Sequence, residues 1–174
     1  FVVRLKDMLS GKIGSLYDFN VMVEFEDDDA LKDPANMKRI EQLEQKLGTL
    51  QLTKISGDKP RVQSVTRLVK EMNRTLNADS IEYYKIPDAR DMLTQLLFLY
   101  EISDPDALFE RMDENYKTTF IHIELAGYDA NKIVEDLDSA NAYAARIFPD
   151  AKVSVVGEVV NYAEMNGKLV GGRL

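Results

Sequence analysis

The sequence predicts an α+β fold in which two βαβ-like units share one four-stranded antiparallel sheet, with a helical insertion between them. An ungapped internal repeat is the first ground for this. An offset of 100 residues superimposes residues 19–57 on 119–157, so that Val21, Val23 and Phe25 fall on Ile121, Ile123 and Leu125. The same offset puts Met37 on Leu137, Leu47 on Ile147, Ile55 on Val155 and Gly57 on Gly157. The second ground is a switch of hydrophobic period within each copy, from two residues to between three and four, which marks a strand followed by a helix. Two such units in series form a four-stranded sheet with both helices on one face and right-handed crossovers, the ferredoxin-like arrangement. The expected organisation is a first repeat over 17–57, a helical insertion over 61–113 and a second repeat over 117–157. Terminal helices are expected over 1–9 and 159–174.

Each element follows from its own residues. Val2, Leu5 and Leu9 have helical spacing, and Gly11 and Gly14 interrupt it. Phe19, Val21, Val23 and Phe25 alternate with Asn20, Met22, Glu24 and Glu26, which predicts a strand with one buried face. Asp33 is a natural helix cap, and Pro34 sits at the first helical position, where a missing N–H costs nothing. Met37, Ile40, Leu43 and Leu47 make the buried stripe, Gly48 ends the helix, and residues 52–55 are expected to form a short second strand. In the insertion, Val65, Leu68, Val69, Met72 and Leu76 predict an amphipathic helix ending near Asn77. Pro87 is expected to begin the next helix, whose second half is apolar nearly all round through Leu96, Leu97, Phe98, Leu99 and Tyr100. Ser103-Asp104-Pro105 predicts a short helix over 106–112. In the second copy, Thr119, Ile121, Ile123 and Leu125 are expected inside, and Asp129 caps a helix that buries Ile133, Leu137, Ala140, Ala144 and Ile147. Val153 and Val155 form its returning strand, and a last helix from Val159 aligns Tyr162, Met165 and Leu169.

Composition narrows the function classes. At 174 residues the chain suffices for one core or two closely packed lobes. With 22 basic and 30 acidic residues the formal charge is −8, which disfavours a nucleic-acid partner. The absence of cysteine excludes disulfides, thiolate nucleophiles and cysteine metal sites. No stretch approaches the roughly 20 apolar residues that span a bilayer. The chain starts at Phe1 rather than methionine and stops just after an amphipathic segment, and we expect a piece of a larger protein.

No catalytic motif stands out. His122 is the single histidine, with Glu124 two residues on and Glu24 expected on the neighbouring strand. A general base would need such a pair, but no nucleophile or phosphate loop accompanies it, and a cross-strand polar pair accounts for it as well. Glu26-Asp27-Asp28-Asp29 lacks the pattern of a calcium loop, and no cofactor or metal ligand set is expected. The seven methionines are dispersed, as core filler is. The residues expected to face a ligand are Met92, Leu96 and Tyr100 on the apolar helix. Packing of that helix on the sheet is the competing explanation.

The order of several motifs resembles the extracytoplasmic porter domains of resistance-nodulation-division (RND) exporters, in the MMPL-like and Patched-like branch. The stretches that carry the likeness are Gly14-Ser15 before the first strand, Lys32-Asp33-Pro34 before a helix, and Val65-Thr66-Arg67-Leu68-Val69-Lys70-Glu71-Met72-Asn73. Ile86-Pro87-Asp88 with Gln95-Leu96-Leu97-Phe98-Leu99-Tyr100, and Val155-Val156-Gly157 before a helix, complete it. The resemblance implies a periplasmic loop domain of a proton-driven exporter in the bacterial inner membrane, anchored through flanking membrane helices outside this chain. It implies hydrophobic or lipid-like cargo, a second porter domain of the same parent as partner, and no enzymatic activity. A soluble ferredoxin-like protein-binding module is the alternative, followed by an enzyme using His122 with Glu24 and Glu124.

Overall fold

The computed structural model describes residues 17–165. In chain order the elements are β1 (Tyr17–Glu24), α1 (Pro34–Leu47), β2 (Ile55–Ser56), β3 (Lys59–Pro60), β4 (Val62–Gln63), α2 (Val65–Leu76), α3 (Arg90–Ser103), α4 (Pro105–Phe109), β5 (Thr118–Leu125), α5 (Ala130–Ile147), β6 (Lys152–Val156) and α6 (Glu158–Met165). Single 3-10 turns cover Ala30–Lys32 and Ile81–Tyr83. The leading helix expected over 1–9 and the position of Leu169 lie outside the described residues.

Alternation produces the two central strands. β1 buries Tyr17, Phe19, Val21 and Val23, and β5 buries Thr119, Ile121, Ile123 and Leu125. They pair antiparallel along their full length, from Tyr17 opposite Leu125 to Glu24 opposite Thr118. β6 adds antiparallel to the other edge of β1, and β4 to the other edge of β5, giving the order β4-β5-β1-β6. β1 and β4 therefore run parallel with β5 between them, and β5 and β6 run parallel with β1 between them. Each strand-helix-strand unit is split by a strand of the other. The result is an α+β fold with a four-stranded antiparallel sheet and six helices among the described residues.

The helices start where their caps dictate. Asp33 accepts the Ala35 N–H at 2.9 Å with Pro34 at the first helical position, and Asp129 accepts the Lys132 N–H at 3.1 Å. α1 and α5 pack against each other, burying Met37, Ile40, Leu43 and Leu47 against Ile133, Leu137, Ala140 and Ala144 in one core with the inner sheet face. Asp136 of α5 is buried among these apolar residues and reaches across to the residues after α1, accepting the Leu52 N–H at 2.8 Å and the Gln51 N–H at 3.2 Å.

Three expectations need correction. The second strand of the first copy is not one run at 52–55. Residues 52–54 pair with the end of β5, through Lys54 N–H to Glu124 O at 2.8 Å and Ala126 N–H to Leu52 O at 2.7 Å, and β4 resumes the pairing after residues 55–60 leave as the β2–β3 hairpin. Gly57, at φ 68°, supplies the hairpin turn, so Ile55 is 52% exposed although its repeat partner Val155 is buried. α3 begins at Arg90 rather than at Pro87, since the backbone stays extended through Ala89, at φ −90° and ψ 131°, while the exposed Asp88 pairs with Lys38 of α1. Leu76, expected on the buried stripe of α2, is exposed, and Asn73 turns inward instead to donate to the Lys85 carbonyl at 3.0 Å.

Gly157 is fixed by crowding at the junction of β6 and α6. It has φ 138°, and a Cβ there would sit 3.3 Å from the Phe19 Cα.

Candidate functional site

α3 carries apolar side chains on both faces, and its packing divides them. Leu93, Leu96 and Leu97 are completely buried, while Met92, Phe98, Leu99 and Ile102 stand 38% to 64% exposed. Positions 92, 95, 99 and 102 follow a helical stripe with Phe98 beside it. The outer surface of α3 thus carries an apolar strip with Gln95 within it and the exposed Asp91 and Glu101 on the same helix. The three residues expected to face a ligand do not share a surface: Met92 lies on the strip, Leu96 is in the core, and Tyr100 is half-buried, its hydroxyl pKa raised by desolvation. Helical spacing gave no way to tell the inner side from the outer when both are apolar. Phe98 and Ile102, the most exposed of the strip, were missed for that reason, and the polar residues Asp91, Gln95 and Glu101 were the available signal.

The second face of the sheet is half-covered and polar. His122 Nδ1 lies 3.1 Å from Asn20 Oδ1 on β1, and Nε2 lies 3.6 Å from Asp18 Oδ2. Glu124 is held by Arg61, with Nε to Oε2 at 2.9 Å, and that hydrogen bond keeps its pKa below the usual carboxylate range. Glu24 stands opposite Thr118, four positions along β1 from the partner of His122, which at the rise of a strand is about 13 Å away. His122, Glu24 and Glu124 therefore do not converge. Among the described residues no group of three histidine, aspartate or glutamate side chains could hold a metal ion. In the acidic loop Asp29 adopts φ 63° and pairs with Lys32 at 3.0 Å.

A buried polar knot joins α1 to α2. Glu44 accepts the hydroxyls of Ser64 and of Thr66, the latter at 2.6 Å, at the N-terminal end of α2, where the helix dipole favours a carboxylate. Desolvation nevertheless raises its pKa. Lys70 pairs with Glu41 at 2.9 Å beside it and lies 5.1 Å over the Tyr84 ring. Across α2 from this knot, a cavity of about 610 Å³ opens between the β2–β3 hairpin and the helix. Four cations line it, from residues that are scattered between positions 59 and 74 and that total charge conceals.

Among the described residues no helix is long and apolar enough to cross a membrane. No protein-family model matches the chain, and no curated protein matches its sequence.

Proposed function

We propose that the chain is an extracytoplasmic porter domain of an RND-type exporter of the MMPL-like and Patched-like branch, passing hydrophobic or amphiphilic cargo by conformational cycling of its parent. On this reading the parent lies in a bacterial inner membrane, and the domain is periplasmic. The split strand order supports the finer fold assignment, a duplicated ferredoxin-like unit with the insertion between its halves. Two such blocks move as rigid bodies while a cleft beside them opens and closes.

The observation that carries the reading is the exposed apolar strip of α3. Burial of Leu93, Leu96 and Leu97 anchors the helix, and Met92, Phe98, Leu99 and Ile102 remain as an apolar wall facing outward. The wall faces the other porter domain of the same parent, and cargo passes between them. A fluorescent fatty-acyl probe tests this on the isolated chain. Replacing Phe98 and Ile102 together by serine should remove probe binding and leave the circular dichroism spectrum unchanged. Probe binding untouched by that pair of changes contradicts the assignment of α3 as the wall.

The same strip also suits a soluble module that docks a helix of another protein. Stoichiometric binding of a protein partner through Phe98 and Ile102, with no probe binding, is the result that favours it.

A further inference from the structure

We propose that the cavity between the β2–β3 hairpin and α2 is an anion site that takes a phosphate group, either free or as the head group of a phospholipid. Lys59 lines it from the β2–β3 hairpin and Arg61 from the junction with β4, Arg67 and Arg74 line it from α2, and Glu71 is the only carboxylate among the lining residues. In a chain of formal charge −8 this is a local reversal of sign.

The four cations are not equivalent. Arg61 is engaged by Glu124 at 2.9 Å and Arg67 by Glu71 at 3.0 Å. Lys59 and Arg74 have no ion pair among the described residues. Arg74 is also held in place: its Nε donates to the Asp79 carbonyl at 3.1 Å, while its backbone carbonyl accepts the Asp79 N–H at 3.0 Å. That arrangement requires Ala78 and Asp79 both to adopt left-handed backbone, at φ 57° and 58°, which non-glycine residues rarely do in succession. The turn fixes the guanidinium and leaves its terminal N–H groups to donate outward. A fixed guanidinium and a lysine ammonium lining one cavity suit a tetrahedral anion with several acceptor oxygens. The remaining wall is mixed, with Ser56 and Gln63 beside Pro60, Val62, Tyr84 and Ile81, the last 71% exposed. An acyl chain leaving the head group would cover Ile81.

The inference does not depend on the exporter reading, because it concerns binding by this chain alone. Calorimetric titration with inorganic phosphate at low ionic strength is one arm. Cosedimentation with vesicles of phosphatidylcholine, with or without phosphatidylglycerol, is the other. The double change Lys59→Ser with Arg74→Gln should weaken binding by at least about tenfold, while the charge-matched control Lys132→Ser with Arg146→Gln on α5 should stay within about twofold. Groove-dependent binding to phosphatidylglycerol vesicles identifies the lipid head group, and groove-dependent binding of phosphate without vesicle binding identifies the free anion. Absence of binding in both arms, or equal loss in the control, overturns the site.

Discussion

Replacing Asp136 by alanine removes the acceptor through which α5 holds the residues that follow α1. The carboxylate is 2% exposed and accepts the Leu52 N–H at 2.8 Å, the Gln51 N–H at 3.2 Å and the Gln51 side-chain amide at 3.3 Å. A hydrogen bond to a charged group contributes roughly 1.5–3 kcal/mol, and a buried donor left without a partner costs about 1–3 kcal/mol. Gln51 is exposed, so water replaces its bonds, whereas Leu52 is half-buried and its N–H is rehydrated poorly. The expected loss is about 2–4 kcal/mol, which for a domain of this size is a fall in Tm of roughly 5–15 °C. Asp136→Asn keeps one acceptor oxygen for Leu52 but turns an amide N–H₂ toward Gln51, and should cost about half as much. Urea unfolding followed by circular dichroism measures both. If Asp136→Ala stays within about 0.5 kcal/mol of the parent, as changes at uninvolved surface positions do, the tie between the two halves has been misread.

Other expectations follow from the same contacts. Leu96→Ala should cost about 2–5 kcal/mol in urea unfolding because its side chain is wholly buried, whereas Ile102→Ala on the same helix should change stability by less than about 1 kcal/mol. The pKa of Glu124 is lowered in the fold, so the stabilisation by Arg61 is present above the unfolded carboxylate range and is lost as pH falls through the lower folded value; Glu124→Gln should flatten the acid limb of a Tm-against-pH curve. Glu44 has the opposite sign, since its folded pKa is raised: its ionisation costs stability as pH rises through that value, and Glu44→Gln should remove this decline. Gly157→Ala should destabilise far more than Gly57→Ala, because a Cβ at 157 meets the Phe19 backbone at 3.3 Å while one at 57 meets nothing within 4 Å; thermal unfolding of the two variants decides.

What could be read from the chain was what local chemistry dictates. Half-buried strands alternate, so the inner faces of β1 and β5 were legible residue by residue, as were the caps Asp33 and Asp129, whose side chains bond to their own helices. The repeat misled at Ile55, because the matching glycines at 57 and 157 do different work: Gly57 turns a hairpin, while Gly157 lets the chain pass close to Phe19. α3 was legible as a helix but not as a surface, since Leu96 and Phe98 are both apolar and only tertiary packing sends one inward. The polar ties of Asp136 and Glu44 join positions 84 and 20 or more residues apart, beyond the reach of any local pattern. The cationic groove was hidden similarly, because Lys59 lies on a hairpin whose excursion from the sheet edge was not foreseen.

The reading of this chain as a porter domain is tested most directly by sequencing the reading frame on either side of it. The account predicts an open frame that encodes one apolar helix before Phe1 and several after Leu174, long enough at roughly 20 residues each to cross a bilayer. A start codon immediately before the Phe1 codon and a stop codon immediately after the Leu174 codon would contradict it.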